Sequence, residues 1–236
     1  MYRVWFCEKF TIEEEPHMWF WTLASLGLAG ALDLAIGVLL VHLLSEYFAY
    51  PLVWWQYAIG ALLGASPDVD LFYAFFRKNA SGHHEYLTHR PILGVPFAIF
   101  LGWMIGGEFW AIAAGLGAFW HYLHDTEGFL GLSGGGIAWF WPFSKKYWGM
   151  GGAKAQVVFW VPEVHQAQAE NRNTCDEFRK TYLLPTRRSV TEFMLTSIAL
   201  GYVIADLFDS HIFFPVVILF WAGILGLWIS YSAERK

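Results

Sequence analysis

From Phe10 to Phe76 the chain carries no lysine or arginine, and after Glu15 its acidic residues in that interval are only Asp33, Glu46, Asp68 and Asp70. Folded in water, such a segment would leave a broad surface without the cations that keep soluble chains hydrated. A bilayer, by contrast, asks for about 20 largely apolar residues per crossing helix. Charged residues make up only 15% of the 236 residues, against about 25% in soluble domains. The chain therefore reads as a membrane protein. Apolar segments run over Met18–Leu44, Leu52–Ala65, Ile92–Ile105, Phe109–Leu123, Phe193–Phe208 and Ile212–Ser230. The expectation is an all-α, polytopic membrane helical bundle of about six transmembrane spans. The first segment is too long for one crossing and holds Asp33 in its middle. It divides into an interfacial N-terminal piece, Met18 to Gly30, and a span beginning near Asp33. The second segment is short for a full crossing.

Six crossings place every basic residue on one side. Arg3 and Lys9 precede the first span, Arg77, Lys78 and Arg90 follow the second, eight basic residues from Lys145 to Arg188 follow the fourth, and Arg235 and Lys236 end the chain. All 15 lysines and arginines fall together, which marks that side as cytoplasmic. The chain divides into a cytoplasmic segment 1–17, a membrane-embedded core 18–148, a cytoplasmic loop 149–191 and a C-terminal two-span hairpin 192–236. Membrane lipids are the expected surroundings. A net charge of -5 and the run Glu13, Glu14, Glu15 argue against a nucleic-acid partner. Cys7 and Cys175 are too few and too far apart for a disulfide framework or a cysteine zinc site. The start of the chain lacks the basic, apolar and small-residue pattern of a secretory signal, so no removable targeting peptide is expected. Trp19, Trp21, Trp54 and Trp55 read as interface anchors, and Gly131 to Gly136 as a loop, since no P-loop lysine follows in register.

Three polar clusters fall on the cytoplasmic side. Ser66-Pro67-Asp68-Val69-Asp70 ends the second apolar segment; Pro67 should break the helix and let Asp68 and Asp70 follow in an extended turn, able to converge on a cation. His83, His84 and His89 lie in one short loop with Glu85, and imidazole is the commonest metal ligand among side chains titrating near neutrality. His121 and Asp125 end the fourth span at i and i+4, on one helix face. Each cluster alone also fits a polar turn or an interfacial helix end. Together they favour function, because acidic and imidazole groups near hydrocarbon are costly unless paired or metal-bound. Carboxylates beside the histidines suit a hard or borderline cation better than haem.

In order and spacing these motifs resemble the bacterial inner-membrane metal-dependent hydrolases of YdjM type. The resemblance is carried by the P-D-x-D turn at Pro67 to Asp70, the H-x-x-x-T-H core at His84 to His89, the H-x-x-x-D pair at His121 and Asp125, and W-P-F at Trp141 to Phe143. It implies that Asp68, Asp70, His84, His89, His121 and Asp125 are metal ligands. An early T-H-L-A-I-G motif of that family corresponds here to Leu32-Asp33-Leu34-Ala35-Ile36-Gly37, so Asp33 stands where a ligand histidine is expected, and carboxylate can replace imidazole at zinc or manganese. His42 ranks second to it. Two further departures are Glu85 in place of an arginine and Arg90 in place of a serine. The resulting expectation is a hydrolase with one or two divalent ions, zinc or manganese, acting at the cytoplasmic face of the inner membrane on a lipid or lipid-linked phosphoester. Glu85 and His124 are the nearest groups for catalytic proton transfer. The same residues would equally serve a metal-ion or substrate transporter, or survive in a non-catalytic membrane scaffold.

Overall fold

The computed structural model describes residues 16–69, 87–126, 137–144, 147–148, 158–159 and 179–234. Among them the chain forms seven helices: α1 (Pro16–Ala29), α2 (Ala31–Tyr47), α3 (Trp54–Gly64), α4 (Pro91–Gly106), α5 (Glu108–Asp125), α6 (Arg187–Leu207) and α7 (Phe213–Glu234). Tyr147–Trp148 and Val158–Phe159 pair as a two-residue antiparallel ladder, β1 and β2, too small to alter the all-α class.

The first apolar segment divides at Gly30, between α1 and α2, as its length requires. Three stretches are long and apolar enough to cross a bilayer by length and composition: 20–47, 187–207 and 210–234. Pro91–Gly106 is apolar but shorter, and α3, with 11 residues, is about 16 Å long, roughly half the hydrocarbon thickness. α3 starts where the Gln56 side chain accepts the Val53 N–H at 2.8 Å, and it ends in a 3-10 turn, Ser66–Asp68, with Pro67 inside it. The chain after Pro67 is thus tight where an extended turn was expected, because the Asp68 N–H closes back on the Ala65 carbonyl at 3.1 Å. α4 and α5 form a hairpin reversing at Gly107, whose φ of 77° is a conformation that glycine adopts without steric cost. α6 is capped reciprocally: the Thr186 hydroxyl accepts from the Ser189 N–H at 3.1 Å and the Ser189 hydroxyl from the Thr186 N–H at 3.0 Å.

The molecule is apolar outside and polar within. Phe97, Trp103, Met104 and Ile105 of α4 and Phe214, Ile218, Leu219 and Ile229 of α7 are exposed, an outer surface too apolar for water and suited to lipid. Asp33, His42, His89, His121, His124 and Glu192 are buried. One apolar cluster, Tyr182, Phe193, Ile224 and Trp228, joins α6 and α7 to the helical residues 179–182. Trp21, expected as an interface anchor, instead packs with Leu183 and Tyr231, where its indole N–H donates to Glu234. Trp54 and Trp55 are exposed; the side chain of Trp19 lies outside the described residues.

α2 and α3 approach to backbone contact. A Cβ on Gly37 would collide with the carbonyl of Gly60 and the amide of Gly64, and one on Gly64 with the carbonyl of Asp33. Gly37→Ala should therefore cost about 2 kcal/mol or more, the upper part of the usual overpacking range, because backbone cannot swing aside. Gly226, with nothing near its missing Cβ, is the control. Thermal unfolding in detergent should show a clear drop for Gly37→Ala and little change for Gly226→Ala; equal midpoints would contradict the packing.

Candidate metal centre

Three segments meet at one end of the bundle. The 3-10 turn after α3 supplies Asp68, a second 3-10 turn, Leu87–His89, supplies His89 just before α4, and the last turn of α5 supplies His121 and Asp125. The second turn is held to α5 because the Tyr122 hydroxyl donates to the Thr88 carbonyl. The space for that phenol exists because position 94 is glycine: a Cβ there would strike the Tyr122 oxygen. Thr126 donates to the Tyr122 carbonyl at 2.7 Å and accepts from the Trp139 indole at 3.0 Å, which brings residues 137–144 over the end of α5. The Arg90 guanidinium lies 5.9 Å from the Trp141 ring centroid.

Imidazole nitrogens and carboxylate oxygens alternate around the centre. His89 Nε2 lies 3.6 Å from Asp68 Oδ1 and 3.4 Å from Asp125 Oδ2. His121 Nε2 lies 3.4 Å from the same Asp68 oxygen and 3.0 Å from the same Asp125 oxygen. All four ligand atoms fall within 4.8 Å of one another. Ligands bonded tetrahedrally at about 2.0 to 2.2 Å would stand about 3.3 to 3.6 Å apart; three of these imidazole–carboxylate distances fall in that range and the fourth, His121 to Asp125, is shorter. The donor set, two imidazoles and two carboxylates, could hold a metal ion. The fit has a second sign: neither ring nitrogen of His121 makes an aligned hydrogen bond, although carboxylate oxygens stand beside both. The two imidazoles are essentially fully buried, whereas the Asp68 and Asp125 side chains keep 27% and 16% of their surface. The histidines form the floor and the carboxylates the open rim. Burial pushes the Asp68 carboxyl up, but His121 and His89 overcome this and hold it well below the usual carboxylate range.

Behind this floor runs a line of buried charges. His121 Nδ1 faces Asp33 Oδ2 at 3.5 Å. Asp33 accepts from the Trp120 indole at 2.9 Å and pairs with His124 Nδ1 at 2.9 and 3.1 Å. His124 Nε2 stands 3.4 Å from Glu192 Oε1, which also receives the Arg188 Nε–H at 2.7 Å and the Tyr182 hydroxyl at 3.4 Å. Burial keeps the Tyr182 phenol well above its ordinary pKa, so it donates this bond.

Of the residues expected from sequence, Asp68, His89, His121 and Asp125 come together, while Asp70, His84 and Glu85 lie outside the described residues. Asp33, expected as a ligand, stands one imidazole further back: it meets the Nδ1 edge of His121, whose Nε2 edge turns to the cluster. His124, expected to move protons at the ion, has both ring nitrogens engaged by Asp33 and Glu192, so its reach to the cluster runs through Asp33 and His121. Glu192 escaped the sequence reading because the apolar segment was begun one residue later, at Phe193. The signal was a lone carboxylate at the mouth of a span with Arg188 one turn before it.

A family model described as YdjM inner membrane protein matches residues 28–213, well over half the chain and including all four converging residues. No curated protein and no solved structure matches.

The two kinds of residue should separate in metal retention. Removing a partner behind a ligand usually lowers affinity about 10- to 100-fold, so Asp33→Asn should weaken zinc binding within that range, whereas His121→Ala should abolish it. Competition with a chelator measures both; an Asp33→Asn protein as empty as His121→Ala would restore Asp33 to the ligands.

Proposed function

The chain belongs to the YdjM inner membrane protein family, and we propose that within the membrane it is a metal-dependent hydrolase acting on a lipid or lipid-linked phosphoester. The observation that carries this reading is the convergence of Asp68, His89, His121 and Asp125, with buried imidazoles beneath and partly open carboxylates above. A divalent ion held by these four would lower the pKa of a bound water toward neutrality and polarise a scissile phosphoryl oxygen.

The rest follows from the chain's own groups. Asp33 stands 3.5 Å from Nδ1 of His121, and a proton carried at that nitrogen toward Asp33 would leave the Nε2 lone pair facing the centre. Trp120 and His124 hold that carboxylate still, and Arg188 and Tyr182 hold Glu192 behind His124. His124 is a positioning residue in this account, and the proton-transfer role falls to Glu85, two residues before the Leu87–His89 turn. Arg90 follows the ligand His89 directly in the chain, and Lys145 and Lys146 come shortly after Trp141, so the sequence has positive charge near these motifs for an anionic headgroup. On a path of six crossings all 15 lysines and arginines fall on one side, and this supports a cytoplasmic location for this face.

The rival reading is reversible carriage of the cation. Purified protein should hydrolyse phosphodiester or ester probes, lose the activity to a chelator and regain it with zinc or manganese. Asp125→Asn should lower the rate roughly a hundredfold or more, since it removes a ligand and not an outer partner. Metal flux across proteoliposomes without any metal-dependent hydrolysis would overturn the hydrolase reading in favour of transport.

A further inference from the structure

A second group of potential ligands sits at the far ends of the helices that carry Asp33 and Glu192. His42 follows Asp33 by nine positions on α2, about 13 Å along the axis, and its side chain is buried, with 2% of its surface exposed. Its Nδ1 meets the Tyr57 hydroxyl of α3 at 3.2 Å. Its Nε2 has no hydrogen-bond partner among the described residues and points between two carboxylates, Asp206 Oδ2 at 3.3 Å and Glu46 Oε1 at 4.0 Å. Glu46 lies one turn further along α2 and Asp206 in the last turn of α6. One atom from each residue lies within 4.8 Å of the other two.

Among the described residues His42 stands beside both carboxylates and no lysine or arginine joins it. Both carboxylates stand in the last turn of a helix, where the backbone dipole disfavours negative charge. No lysine or arginine occurs in 10–76, 91–144 or 189–234, so none of the three helix connections at this end of the bundle has a cation to offer. The two carboxylates are about half exposed, at 48% each, and can adjust, whereas the imidazole behind them is buried and oriented by Tyr57. A fixed nitrogen beneath two adjustable oxygens, with a solvent side left for water, suits a borderline divalent cation.

We propose that His42, Glu46 and Asp206 form a second divalent-cation site, at the opposite end of α2 and α6 from the four-residue centre, which clamps these two helices together. The clamp is chemically separate from the centre but fixes the helices that carry Asp33 and Glu192, so an ion bound there steadies the groups behind His121. It does not require the hydrolase reading.

Full-length protein in detergent, stripped with chelator and titrated with zinc alone by equilibrium dialysis, tests the proposal. Glu46→Gln with Asp206→Asn changes only half-exposed side chains. This double variant should lose one equivalent of zinc, or bind it at least about tenfold more weakly, while Asp125→Asn keeps that equivalent and loses the other. Zinc should also raise the unfolding midpoint of Asp125→Asn and leave that of the triple variant unmoved. If the double variant binds as many equivalents as tightly as the unaltered chain, the second site does not exist. If the double variant is less stable without zinc and no equivalent is lost, His42 and Asp206 form a plain ion pair and the proposal is overturned. Loss of the second equivalent with the first insensitive to Asp125→Asn would instead count against the four-residue centre.

Discussion

Pairing of carboxylate with imidazole, in an interior that lipid and packed helices keep dry, is the interaction on which the rest of this structure depends. An ionised group moved into such surroundings loses on the order of several kcal/mol of solvation even after relaxation. It is tolerated only where a partner of opposite character or a metal takes the place of water. His121, Asp33, His124 and Glu192 meet that condition by standing in line, each within about hydrogen-bond or ion-pair reach of the next. The line fixes the relative register of α2, α5 and α6, since sliding any one helix by a turn would strand a charge. The glycines at 37, 60 and 64 have their role here, because α3 can bring Asp68 to His121 only if its backbone lies directly against α2.

The inverted arrangement, apolar outside and polar inside, also explains where the centre sits. Hydrocarbon admits helices but not irregular backbone exposed to lipid. Non-helical ligand segments must therefore come at helix ends. Asp68 and His89 are both in 3-10 turns adjoining helix termini, and His121 and Asp125 occupy the last turn of α5. Under the proposed function, a centre assembled from helix ends would open at headgroup depth, where an anionic lipid presents its polar part. The same rule places His42, Glu46 and Asp206 at the other ends of α2 and α6, where no lysine or arginine among the described residues answers them.

Much of this was legible in the sequence. The missing lysines and arginines from Phe10 to Phe76 point to a membrane chain, and the i, i+4 spacing of His121 and Asp125 puts both on one face. The motifs around Asp68 and His89 mark the remaining pair. Less legible were matters that depend on which edge of a ring faces which neighbour. Sequence places Asp33 close to His121 but cannot tell direct ligation from support at Nδ1, because both need a carboxylate at the same helix position. Glu192 was hidden by a boundary drawn one residue late. Trp21 looked like an interface anchor because an indole at a span end usually is one, and only the arrival of Glu234, Leu183 and Tyr231 from distant segments buries it.

The proposed function requires one ion shared by four residues from three separate segments, and anomalous diffraction from zinc-loaded crystals would reveal it. A zinc peak is expected within about 2.0 to 2.2 Å of Asp68, His89, His121 and Asp125 together, with Asp33 behind His121 and not bonded to the ion. A structure of the loaded protein with no peak among these four, or with Asp68 and Asp125 turned away from a zinc held elsewhere, would contradict it.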